Sequence, residues 1–87
     1  MNTSLKLTPA LKLGTAFREE RESRGLSQEA LASLIGTRQP VISRYERAAA
    51  IPSSRHLSEL IHQLGLDAEH VYDLVRRHYA DNPRADA

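Results

Sequence analysis

Side chains able to do chemistry fall into two sets in this chain, and they point in different directions. The first set would serve catalysis: four histidines (His56, His62, His70, His78), scattered carboxylates and many serines. No pair of these histidines is three or four residues apart, so no helix can present two of them to one metal ion. HExxH, GxSxG and phosphate-cradling glycine loops are absent from the sequence as well. With no cysteine anywhere, thiolate metal sites, disulfides and thiol nucleophiles are excluded. The chain therefore reads as a non-enzyme with neither metal nor cofactor. The second set is the arginines Arg38, Arg44, Arg47 and Arg55, interleaved with Gln39 and Ser43. Guanidinium, amide and hydroxyl groups of this kind make hydrogen bonds to phosphates and to the edges of bases.

Charge placement supports the second set. From Thr37 to Ser58 four arginines face a single acid, Glu46, giving +3 locally in a chain whose total is +1, so the remainder carries −2. Total charge alone would not mark a polyanion-binding protein, but a basic middle segment does.

These residues need elements to hold them. Eighty-seven residues make one domain with a modest core. No strand alternation of useful length occurs, so the expected class is all-α. Caps mark five helices, at about 9–24, 28–35, 39–47, 54–64 and 68–79. Thr8 before Pro9 opens the first, which turns Leu13 and Phe17 inward and stops at Gly25. Ser27 opens the second, with Ala30, Leu31, Leu34 and Ile35 expected inward, and Gly36 closes it. Pro40 is tolerated in the first turn of the third. Ser53 caps the fourth (Leu57, Leu60, Ile61, Leu64 inward) up to Gly65, and Asp67 caps the fifth (Val71, Leu74, Val75 inward). The expected organisation is an arm over 1–8, a domain over 9–79 and a flexible tail over 80–87. The arm's leucines are interrupted by Lys6, Lys12 and Pro9, which argues against export or membrane insertion and for a soluble, cytoplasmic protein.

Two short helices joined by a glycine-bearing turn form a helix-turn-helix, whose second helix is the one offered to a DNA groove. At about 100° per residue, Ile42 and Tyr45 define the buried side of the third helix, and Pro40, Ser43, Arg44 and Arg47 lie opposite. That outward face has two arginines, a serine and no acid, with Gln39 leading it. Such a face suits a polyanion and its base edges.

The run GLSQEALASLIGTRQPVISRYERA, Gly25 to Ala48, resembles the phage-repressor-like helix-turn-helix family, also called the xenobiotic-response-element type. FREERESRG before it and IPSSRHLSELIHQLGLD after it fit that family's first, fourth and fifth helices, about two thirds of the chain in all. The resemblance implies a five-helix, lambda-repressor-like domain and residue roles within it. Gln39 and Arg44 match base-reading positions, Arg38 and Ser43 match positions used for bases or phosphates, and Pro40 either touches a thymine methyl or simply starts the helix. Gln28 matches a glutamine that contacts a phosphate and supports the first reading residue, while Arg47 and Arg55 fall where phosphates are held. Arg21 and Glu46 match a structural ion pair between helices one and three. Ala48 stands where a glycine is frequent, which puts a left-handed cap there in question.

By the same resemblance the partner is double-stranded DNA, a palindromic operator bound by a homodimer, in the service of transcription regulation and most simply of repression. Tyr72, Val75 and Tyr79 share one face of the fifth helix, which makes that helix the expected seam, the alternative being that the three only cover the first helix. The competing reading is an interaction module: an antitoxin that also binds DNA, or a coactivator-like domain whose arm or tail orders on a toxin or other protein partner.

Overall fold

A computed structural model of the chain describes residues 7–83, and among them all regular structure is helical: α1 (Pro9–Ser23), α2 (Gln28–Leu34), α3 (Gln39–Glu46), α4 (Ser54–Leu64) and α5 (Ala68–Asp81). The arm up to residue 6, including Lys6, and residues 84–87 lie outside the described residues. None of the described helices is long and apolar enough to cross a membrane.

Four helices begin on the side-chain caps that their sequences supply. Thr8 Oγ1 accepts from the Leu11 N–H at 3.1 Å, Ser27 Oγ from Ala30 at 3.0 Å, Ser53 Oγ from His56 at 3.2 Å, and Asp67 Oδ1 from Glu69 at 3.0 Å. Each satisfies one of the amide donors that a helix start leaves without an internal partner. α3 is the exception. Arg38 occupies its N-cap position without a side-chain bond, and Pro40 in the first turn removes one donor that would otherwise need a partner. Gly65 closes α4 in the left-handed conformation.

α1 runs through the middle, packing against α3, α4 and α5, while α2 packs on α3. Leu13 and Phe17 of α1, Leu31 and Ile35 of the α2 region, Ile42 and Tyr45 of α3, Leu57, Leu60 and Leu64 of α4, and Val71 and Leu74 of α5 form the core. Val75 and Ile61 pack against its edge.

Two departures from the expected pattern have local causes. On α2 the buried residues are Leu31 and Ala32, followed by Ile35 at the C-cap, whereas Leu34 is 48% exposed and Ala30 is only partly covered. The buried side is rotated toward Gln28, which shares it at about 100° per residue. Gln28 thereby turns toward α3. On α5 the helix continues to Asp81, two residues into the expected flexible tail, and the Asn82 N–H and Nδ2–H both donate to the His78 carbonyl at 2.9 Å. Asp73, placed ahead of Arg76 and Arg77 at 3.6 and 3.0 Å, adds helix-supporting pairs in the favourable acid-before-base order.

Candidate nucleic-acid interface

The outward side of α3 carries Pro40 and Arg44 exposed and Ser43 partly covered, with Arg47 exposed at the C-cap just past the helix end. Arg38, before the helix, and Arg55, at the start of α4, are exposed too. Glu46, the acid of this segment, is not on that surface: its side chain is 3% exposed and is held by Arg21. The surface charge of the segment is thus more positive than its sequence total.

Arg21 and Glu46 form a bidentate pair, Arg21 Nε to Oε2 at 2.6 Å and Nη2 to Oε1 at 3.0 Å. The remaining Nη1 donates to the Leu26 carbonyl at 2.8 Å, tying in the turn between α1 and α2. Hydrogen bonding to Glu46 outweighs burial and raises the Arg21 pKa, so the guanidinium stays charged.

The network continues outward. Gln28 Nε2 donates to Glu46 Oε1 at 2.9 Å, and Gln39 Nε2 donates to Gln28 Oε1 at 2.7 Å. The carboxylate can only accept, so the Gln28 nitrogen must face Glu46 and its oxygen must face Gln39. Gln39 in turn keeps its own oxygen and its second N–H, the acceptor and donor that a base edge requires. Four side chains from three helices therefore run from the core to the first residue of α3, and they hold the Gln39 amide in one orientation.

Ser43 is engaged within its own helix, where its Oγ accepts from Arg47 Nε at 3.1 Å. Arg55 has a partner that the sequence pattern does not announce. Its Nη2 lies 3.1 Å from His56 Nε2, and His56 Nδ1 lies 2.7 Å from the Tyr45 hydroxyl. A guanidinium has no acceptor, so Nε2 accepts and Nδ1–H donates to Tyr45. His56 thus joins the buried side of α3 to the start of α4, its ring edge-on to Tyr45 with centroids 5.8 Å apart. Burial raises the Tyr45 pKa against the lowering pull of the Ser53 backbone, Arg44 and Arg55.

Beyond α3 the chain turns on Ala48 with φ of 61°, so the left-handed position is kept although no glycine fills it. The amides of Ala48 and Ala49 donate to the carbonyls of Tyr45 and Arg44 at 3.2 and 2.8 Å, closing α3 and holding Ala48 in place. Among the described residues no group of three or more histidine, aspartate or glutamate side chains could hold a metal ion.

A family model described as "Helix-turn-helix" matches residues 17–71. The chain belongs to the helix-turn-helix family of the xenobiotic-response-element type. The match takes in α2 and α3, the two helices of the helix-turn-helix unit. It is also similar to endothelial differentiation-related factor 1 of Homo sapiens, 36% identical over 56 residues that make up 64% of this chain and 38% of that protein. The rat and mouse proteins of the same name match equally. The chain spans about two fifths of the length of these relatives. Among solved structures, the restriction-modification controller protein C.AhdI of Aeromonas hydrophila superimposes with a TM-score of 0.64 at 31% identity, covering 71% of this chain and 94% of that one. The clp gene regulator ClgR of Corynebacterium glutamicum superimposes with a TM-score of 0.66 over 90% of this chain and 83% of its own, and at 24% identity it supports the fold alone.

Proposed function

We propose that the chain is a sequence-specific transcription regulator, a repressor, that reads the major groove of double-stranded DNA with α3 and acts in the cytoplasm. The observation that carries this reading is the division of labour along α3: the acid is buried and paired, while Gln39 is held from behind and Arg44 stands exposed on the outward face. Gln39 and Arg44 choose bases, with Arg38, Pro40 and Ser43 at the edge of the reading surface. Arg47, Arg55 and the start of α2 at Gln28 hold phosphates. Pro40 sits in the first turn, where its main effect is to start the helix. The similarity to C.AhdI, a restriction-modification controller protein, supports a regulatory role.

One α3 spans only a few base pairs, so specificity calls for a homodimer on a palindromic operator, with half-sites about 34 Å apart and the two-fold axis about 17 Å from each reading helix. Tyr72 and Tyr79, 39% and 36% exposed, are available on α5 for the seam, whereas Val75 packs against the monomer's own core. Tyr79 is the better placed, because with His78 it lines a groove against Ala48, Ala49, Ala50 and Ile51, directly past the end of α3.

Selection of bound duplexes from a random pool, followed by sedimentation of the complex, tests both halves. An enriched palindrome bound by two chains is the expected result. Recovery of no preferred sequence would reject the reading and favour an interaction module, with a toxin or other protein as its partner.

A further inference from the structure

Arg21 is not the only residue of α1 that holds the last turn of α3. Gly14 lies two turns earlier on the same buried face, with Phe17 between them. Where Arg21 grips the Glu46 side chain, Gly14 lies against the main chain: a Cβ built on it would stand 2.5 Å from the Glu46 carbonyl oxygen, 2.8 Å from that of Tyr45 and 3.0 Å from the Glu46 carbonyl carbon. All three atoms are backbone, so none can swing aside as a flexible side chain would. Ordinary contact begins near 3.4 Å, so a methyl group here requires the end of α3 to withdraw by about 0.9 Å.

The opposite end of α3 is held on α2, by Gln39 on Gln28, which itself bonds the Glu46 side chain. A push at one end of a helix about 12 Å long that is held at the other tilts it, here by roughly 4–5°. Hydrogen-bonding groups that recognise a ligand tolerate displacements of only about 0.5 Å. We propose that Gly14 is a positioning residue for DNA reading: its missing side chain seats the last turn of α3 on α1 and sets the tilt of α3 against α1 and α2, and with it the placement of Arg44 and Arg47 on the reading surface. The assignment rests on α3 being the reading helix.

Gly14→Ala, which overfills the contact of α1 with α3, is compared with Val71→Ala, which destabilises the core on α5 by opening a cavity away from that contact. Residual dipolar couplings give the orientation of α3, and titrations at low temperature give affinities for the selected duplex and for random DNA, each corrected for the folded fraction. In Gly14→Ala, α3 is expected to rotate by a few degrees while α4 and α5 keep their orientation, with affinity for the selected duplex falling about tenfold or more and affinity for random DNA much less. Val71→Ala is expected to keep the wild-type orientation and both affinities. Unchanged couplings in Gly14→Ala, or a loss no larger than in Val71→Ala, would overturn the proposal. So would failure of Gly14→Ala to fold even in trimethylamine N-oxide, which favours the compact state, since Gly14 would then be required by the fold as a whole. A wild-type protein without sequence preference would instead defeat the DNA-reading assignment, and the couplings would still decide whether Gly14 sets the tilt.

Discussion

Removing the Glu46 carboxylate is the perturbation whose size the structure best defines. Glu46→Ala leaves Arg21, whose side chain is 10% exposed, with the Leu26 carbonyl and a 3.8 Å approach to the exposed Glu22 as its remaining polar contacts. It also strips an acceptor from Gln28. Breaking an enclosed pair in this way costs about 3–5 kcal/mol, with roughly 0.5–1.5 kcal/mol more for the glutamine bond. A domain of this length has roughly 4–13 kcal/mol in total, so the variant loses a large share and its Tm should fall by at least about 12 °C. Because the pair is shielded from solvent, added salt should leave most of the difference in place. Chemical denaturation of Arg21→Ala, Glu46→Ala and the double variant gives the coupling energy, expected near 2–3 kcal/mol. An apolar pair, Arg21→Met with Glu46→Leu, should recover most of the stability yet still weaken DNA binding, since Gln28 and Gln39 lose their anchor. Additive single effects, with coupling below about 0.5 kcal/mol, would refute the reasoning.

Two further outcomes follow from local geometry. Ala48→Gly relieves a left-handed alanine and should stabilise the domain by roughly 0.5–1 kcal/mol, read as a Tm higher by a few degrees; an unchanged or lower Tm would contradict it. Tyr45, whose phenol pKa is raised by burial, holds its proton more tightly when folded. Its contribution is therefore complete below the ordinary tyrosine value, about 10, and is lost as pH rises from there through the folded value. Alkaline unfolding curves should show that fall in the wild type and a smaller one in Tyr45→Phe, whereas parallel curves would exclude Tyr45 as the source.

Much of this fold is legible because its helix starts are chemical rather than statistical. Thr8, Ser27, Ser53 and Asp67 each place a side-chain oxygen where an amide needs one, and the helix starts therefore fall where the caps predict. α2 was harder. In two turns the apolar residues Ala30, Leu31, Ala32, Leu34 and Ile35 are compatible with more than one buried direction, and the polar bonds of Gln28 with Glu46 and Gln39 accompany the one observed. The site divides in the same way. The outward face of α3 follows from periodicity about Ile42 and Tyr45, but the Ser43–Arg47 bond and the His56 bridge depend on rotamers and on how α3 meets α4, which spacing does not encode. Ala48 shows the converse limit. An alanine where the family resemblance puts a glycine left the left-handed turn in question, and the hydrogen bonds that close α3 hold it there regardless.

Whether α3 reads sequence is tested most directly by titrating the selected duplex and random DNA across a range of salt with wild type, Arg44→Ala and Arg47→Ala. Arg44→Ala should lose about 1–3 kcal/mol on the selected duplex and much less on random DNA, narrowing the gap between them. Arg47→Ala should weaken both alike and lower the salt slope by roughly one. Equal losses on both DNAs for Arg44→Ala would contradict the assignment of α3 as the helix that chooses the sequence.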